Sequence, residues 1–271
     1  MDTPILLVHV SSELAANTIR KAQTRLIPVH GETCPHYLYL LADKMQTAGF
    51  EGLWMSKIIY GNAMLIASGA KCVCSPPLRA DSSDLEAMWR GLRNGTFTIV
   101  SSDHAPASYH HPQGKQKGLV AGSEPHGNFK YTPNGLPGLE TRLPLLFEGV
   151  TDSRITPQKF VELTSSNPAK LYGLKKKGTI APGFDADITI WYPEGSMKPF
   201  RLDNSMLHHR IDYTPFEGRE FRNWPRYTLL RGKIIFSEGS ILGQQGYGQF
   251  VKRGPSTLAG PRNIWTSEWR P

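Results

Sequence analysis

At 271 residues, 39% of them hydrophobic, the chain is long enough for one large domain, or one and a half, around a real core. Its formal charge of +8 comes from 31 basic residues scattered along the sequence, with Lys175-Lys176-Lys177 the one run of three, so the clustered basic face of a nucleic-acid binder is missing. Three cysteines, Cys34, Cys72 and Cys74, match neither a disulfide framework nor a zinc finger and read as small buried residues of a cytoplasmic protein. No basic segment or long apolar run follows Met1, so no signal peptide is expected, and Ile5–Val10 is too short to cross a membrane.

The predicted elements alternate strand and helix over the first two thirds. Ile5–Val8 is an apolar strand ending at His9; Ser11 or Ser12 caps a helix whose Leu14, Ala15, Thr18, Ile19 and Ala22 share one face. A second strand, Leu26 to about Cys34, leads into Pro35-His36-Tyr37. A helix from about Ser83 to Leu92 stops at Asn94-Gly95, and Phe97–Val100 is the third strand, running into Ser102-Asp103-His104. Strands separated by helices make a parallel α/β sheet, whose carboxyl ends present chemistry. Two further helices start at Pro157 and Pro168, behind Thr156 and Asn167, with Gly173 closing the second.

From about residue 176 the pattern becomes β and turn. Gly178–Ile180, Ala186–Trp191, Tyr227–Leu230 and Lys233–Phe236 read as short strands, punctuated by Pro182-Gly183, Arg231-Gly232 and Glu238-Gly239. The expected division is residues 1–175, 176–253 and a tail over 254–271, the tail packed on another part or disordered. Gly243–Gly248 is a plain turn, because it lacks the strand-then-helix context of a nucleotide loop.

A hydrolytic metal site needs several imidazoles and carboxylates converging on one point with a position left for water. His9 and Asp103 both end parallel strands, so in a barrel they would face the same mouth. His110-His111 and His208-His209 are adjacent pairs that face apart and read as surface residues.

Six segments in order carry a resemblance. They are Val8-His9-Val10-Ser11-Ser12, Gly31-Glu32-Thr33-Cys34-Pro35-His36-Tyr37-Leu38, Ser75-Pro76-Pro77-Leu78-Arg79, Ser102-Asp103-His104, Pro133-Asn134-Gly135-Leu136-Pro137-Gly138, and the run from Lys177 to Ile188. Together they resemble the dihydropyrimidinase and D-hydantoinase branch of the amidohydrolase superfamily. The resemblance implies a (β/α)8 TIM-type barrel and a small β-sandwich, of which this chain would hold about strands six to eight and part of the sandwich. It implies two divalent metals, zinc by habit, with His9 and Asp103 as ligands. Asp103 is also implied as the catalytic proton carrier, and Ser75 and Asn134 as the residues whose backbone holds the substrate. That substrate is a small cyclic ureide, a dihydropyrimidine or hydantoin, opened as in pyrimidine catabolism. A tetramer or other homo-oligomer is implied too, with neither nucleic acid nor membrane as partner. Ser-Pro-Pro-Leu-Arg and Pro-Asn-Gly-Leu-Pro-Gly favour this branch over allantoinase-type enzymes, which share the Cys-Pro-His-Tyr segment.

The departures matter as much. No His-x-His occurs in the chain, and the resemblance places that motif, a bridging lysine and a further histidine ahead of the strand at Ile5, leaving four of six ligands unmatched. A (β/α)8 barrel takes about 250 residues and this chain offers about 175. The expectation is therefore a carboxyl-terminal part, Met1 being an internal methionine of the parent, with a non-catalytic interaction protein as the rival reading. An apolar strand edge at Ile5–Val8 would then be exposed and partner-seeking, and Tyr109–Tyr131 is expected as a mobile loop at the mouth.

Overall fold

The computed structural model describes residues 3–43, 69–119 and 131–259. Its organising element is a parallel sheet in the order β1 (Ile5–Leu7), β2 (Val29–Thr33), β3 (Phe97–Val100). Phe97–Val100 is buried throughout, as an apolar run covered on both faces should be.

Helix α1 (Glu13–Thr24) starts where Ser12 Oγ accepts from the Ala15 amide. Its sequence-predicted face does not all turn inward: Ala16 and Ile19 are buried, while Leu14 is 79% exposed. Arg79, the last residue of the Ser-Pro-Pro-Leu-Arg segment, reaches Ser11 Oγ through Nε and Nη2 at 3.1 and 2.7 Å. The one-turn helix α2 (His36–Tyr39) follows β2. Helix α3 (Ser82–Arg93) is capped by Asp81, and its Asp84 accepts from the Glu13 amide at 2.7 Å, tying the starts of α1 and α3 together. Trp89 of α3 is fully buried, with Nε1 on the Leu38 carbonyl. Gly149 of α4 (Arg142–Thr151) lets that ring in: a Cβ there would lie 2.3 Å from it.

Helix α5 (Pro157–Val161) begins at the Thr156 cap, as the sequence predicts. Pro168 stands in the first turn of the next helix, as the sequence predicts, but no break precedes it. The helix runs on through a wide π turn at Glu162–Ser166 into α6 (Asn167–Leu171), because Pro168 has no N–H to offer the turn before it. Asn167 is thereby freed from capping, and its Nδ2 donates to the Thr98 carbonyl at 2.8 Å. Gly173, at φ +67, closes the run. The start of the tail then caps the helix end: the Gly254 amide donates to Gly173 O at 2.8 Å and the Thr257 amide to Lys170 O at 3.0 Å. The tail is thus packed as far as residue 259; its remainder lies outside the described residues.

The second half gives an antiparallel sheet in the order β4 (Ile188–Trp191), β7 (Pro225–Leu230), β8 (Lys233–Ser237), β9 (Ser240–Ile241), and a two-stranded ladder of β5 (Phe200–Arg201) and β6 (Glu220–Phe221). Arg231-Gly232 and Glu238-Gly239 all take positive φ, which matches two-residue hairpin turns to the strand twist. Gly178–Ile180 is not a strand. Gly178, at φ +92, lies against Ala169, and Ser166 Oγ holds its carbonyl at 3.0 Å, so the segment is spent as a loop on α6. Phe147, Phe160 and Trp191 stack where the helices meet the antiparallel sheet. Among the described residues no helix is long and apolar enough to cross a membrane.

Candidate active site

His9 follows β1 by two residues and Asp103 follows β3 by three, both at the carboxyl end of the parallel sheet. Both have left-handed backbone, φ 41 and φ 44, which a non-glycine residue adopts only when its surroundings enforce it. The enforcement comes from β2, which lies between them. The Val10 amide donates to Glu32 O at 2.8 Å, Thr33 Oγ1 to Val10 O at 2.7 Å, and the Ser101 amide to Thr33 O at 3.2 Å. Buried Thr33 so braces both turns. Two inter-strand steps separate β1 from β3, on the order of 10 Å, close enough for side chains from both to reach a common point.

Ser75 and Asn134 are both exposed, on two segments joined by one atom. The Val73 carbonyl accepts from the Gly135 amide at 3.2 Å and from Lys115 Nζ at 2.6 Å. Gly135 is required there. Its φ is +109, and a Cβ would lie 2.1 Å from Ala105 O. Farther along, Tyr37 Oη and Cys74 Sγ both donate to Pro76 O, at 2.6 and 3.3 Å. His104 Nδ1 accepts from the Gly138 and Leu139 amides at 3.1 and 3.2 Å, and the Ala105 amide donates to Leu136 O. In its neutral form His104 therefore carries its proton on Nε2. The motif segments, far apart in the chain, thus hold one another in place.

Several titratable groups packed among these segments are desolvated. Burial pushes His36 down to about 4, with His9 nearby adding to it, and leaves its Nε2 buried with no partner among the described residues. Burial holds the Cys34 thiol and the Tyr37 phenol far above their ordinary values and lifts Cys74 to about 11. Lys115, wholly buried, is brought down to about 8. Such low-dielectric packing strengthens any charge interaction within it.

A metal centre is a different matter. His9 and Asp103 are two candidate ligands, and no group of three His, Cys, Asp or Glu side chains able to hold an ion occurs among the described residues. Two donors do not satisfy a catalytic ion, which takes three or more. The described chain alone therefore does not fit the two-metal centre the resemblance implies.

Two positioning residues escaped the sequence reading. Lys115 lies in the segment expected to be mobile, yet Tyr109, Gly114 and Lys115 are buried, and Asp212 accepts from the Tyr109 and His110 amides at 2.6 and 2.8 Å. Residues 120–130 of that segment lie outside the described residues. A lysine in a Gly- and His-rich stretch carries no periodic signal, so only the fold could find it. His209 is the other departure. His110, His111 and His208 are exposed as expected, but His209 packs edge-on against His104 with its Nε2 buried.

Comparison with known proteins places this arrangement. The D-hydantoinase of Ralstonia pickettii is 38% identical over 256 residues, covering 93% of this chain and 49% of the relative, and that of Streptomyces coelicolor is 35% identical, covering 92% and 47%. The crystal structure of dihydropyrimidinase from Brevibacillus agri superposes with a TM-score of 0.79 at 34% identity, covering 93% of this chain and 49% of that one. The chain spans about half the length of the relatives it matches. The amidohydrolase family profile matches residues 5–235, which takes in the parallel sheet, both strand-end residues and most of the antiparallel sheet, and the chain belongs to that family.

Proposed function

We propose that this chain is the carboxyl-terminal, substrate-holding part of a cyclic amidohydrolase that opens dihydropyrimidine or hydantoin rings. Residues 1–175 supply about strands six to eight of a (β/α)8 barrel, 176–253 part of a β-sandwich, and 254–271 a tail. The observation that carries the reading is the single Val73 carbonyl that locks the Ser75 and Asn134 segments together beside the turn holding Asp103. Ring opening adds water across a C–N bond: the carbonyl carbon gains oxygen, and the ring nitrogen leaves with a proton. In this chain the backbone at Ser75 and Asn134 holds the ring's amide and carbonyl groups. Asp103, at the carboxyl end of β3, takes a proton from the attacking water and returns it to the leaving nitrogen. Further ligands, beyond His9 and Asp103, must come from elsewhere before a metal is held, so no step is assigned to one. The buried thiols of Cys34, Cys72 and Cys74 support a reducing, cytoplasmic setting.

The test is a fusion in which this chain replaces the matching half of the R. pickettii D-hydantoinase. Dihydrouracil or hydantoin opening by the fusion, lost in Asp103→Asn, is expected. A folded, metal-loaded fusion that opens neither ring would refute the proposal. One observation favours a second reading for the chain by itself: with two candidate ligands it is non-catalytic alone. Turnover by the purified chain with bound metal would exclude that.

A further inference from the structure

We infer that residues 207–213, from the antiparallel half of the chain, form a strap across the candidate site, and that Asp212 is its positioning residue. Through Lys115, Asp212 sets the substrate-holding backbone at Ser75 and Asn134 and so governs how tightly the ring is bound. This inference deepens the function proposed above and rests on it.

The strap lies between β5 and β6 and is fastened to four separate loops of the site. Buried Tyr213 packs with Ala70, Val73 and Tyr109, its ring 6.2 Å from that of Tyr109. Asp212 accepts the Tyr109 amide on Oδ1 and the His110 amide on Oδ2. His209 sets its ring 6.4 Å from that of His104, the neighbour of Asp103. The His208 amide donates to Glu140 Oε2 at 2.7 Å, and His208 Nδ1 lies 2.9 Å from Oε1, just past the 133–138 segment. Asn204 Nδ2 closes the strap on itself by donating to Ile211 O at 2.8 Å.

Asp212 stands apart from the other fastenings because of what it carries. The two amides it takes open a tight loop, in which the Lys115 amide donates to Ser108 O at 2.9 Å and a Cβ on Gly114 would lie 1.9 Å from that same oxygen. A loop so closed moves as one piece with Asp212. At its far end Lys115 Nζ, wholly buried, donates to Val73 O, two residues before Ser75, and the Gly135 amide, next to Asn134, donates to the same oxygen. Asp103 is held from another side, by the Ser101 amide on Thr33 O. Burial works against the Asp212 charge, but the His110 and Tyr109 amides hold its carboxyl below the ordinary value, so both bonds are charge-assisted. An asparagine would turn its amide hydrogens against one of those two donors. The groups that hold the ring then loosen while the proton carrier stays, which is a loss of binding rather than of chemistry.

The experiment has two arms. In the R. pickettii fusion, Asp212→Asn should raise the KM for hydantoin about fivefold or more and leave kcat within about twofold. Lys115→Met should do the same, and the two together should be no worse than either, because both act on Val73 O. In the chain by itself, hydrogen exchange at the Gly135 amide should quicken about tenfold in Asp212→Asn while the cooperative melt is kept. Asp212→Ser, which retains an acceptor, gives the same readouts should the first variant not melt cooperatively. An unchanged KM, a fall in kcat alone, additive effects of the two substitutions, or a Gly135 amide exchanging at the parent rate would each overturn the inference. An active fusion with an unmoved Gly135 amide defeats the strap and leaves the function standing. An inert parent fusion with a quickened Gly135 amide does the reverse: the mechanical link holds and the proposed function falls.

Discussion

Replacing Arg222 with alanine strands Glu148. The Glu148 carboxylate on α4 is 4% exposed and accepts from Arg222 three times: the backbone amide at 3.0 Å, Nε at 2.9 Å and Nη2 at 2.6 Å. Nη2 also reaches Asp152 Oδ1 at 2.7 Å. This joint fastens the β5–β6 ladder to α4. Each charge-assisted bond is worth about 1.5–3 kcal/mol, and breaking a buried pair from one side costs about 3–5 kcal/mol. Alanine keeps the backbone amide, and the arginine side chain is itself 40% exposed, so water reaches the vacated side. The expected loss is at the lower end, about 3 kcal/mol. Glu148→Gln with Arg222→Met removes both charges, keeps an acceptor for the residue-222 amide, and should recover part of it. Urea unfolding at pH 7, followed by far-ultraviolet dichroism and tryptophan emission, measures all three. An Arg222→Ala protein within about 1 kcal/mol of the parent, or a double variant no better than the single, would refute the reasoning.

His36, 4% exposed and held at about 4 against an ordinary 6.5, is neutral when folded. Below pH 6.5 the unfolded chain binds the proton first, so stability falls through the window from 6.5 to about 4. His36→Gln should flatten the stability profile by about 2 kcal/mol between pH 6.5 and 5; identical slopes in both proteins would remove His36 as the cause. Gly135→Ala puts a methyl against Ala105 O at a positive φ and should destabilise by about 2 kcal/mol or more, read by urea unfolding; a neutral result would mean the loop repacks freely. Cys34, Cys72 and Cys74 are buried, and burial raises the thiols of Cys34 and Cys74, so iodoacetamide at pH 8 should label none of the three until urea unfolds the chain. Rapid labelling of the native protein would contradict their placement.

Local chemistry was legible without coordinates. Ser12 and Thr156 cap helices because a hydroxyl can take an orphan amide. Arg231-Gly232 and Glu238-Gly239 turn the hairpins because glycine tolerates φ of 79 and 89. The parallel strands stop just short of His9 and Asp103 because an apolar run ends where the sheet does. The motif segments were readable for the same reason, as short strings whose meaning sits within a few residues. What failed was whatever depended on a distant neighbour. Pro168 stands in the first turn of α6 as read, but Asn167 does not cap it, because Val161 and Glu162 were already helical and a π turn runs into it. Gly178–Ile180 lost its strand to Ala169 and Ser166.

The same division runs through the site. His9, Ser75, Asp103 and Asn134 were expected to form one constellation from the resemblance carried by six ordered segments, since order survives when the chain is unfolded. Three things only packing could decide: that one carbonyl, Val73 O, joins the Ser75 and Asn134 segments; that a buried lysine 42 positions away completes the joint; and that the apolar face of α1 lies open beside β1. Each depends on which surfaces meet, and a linear string holds that information only through the free energy of the whole fold.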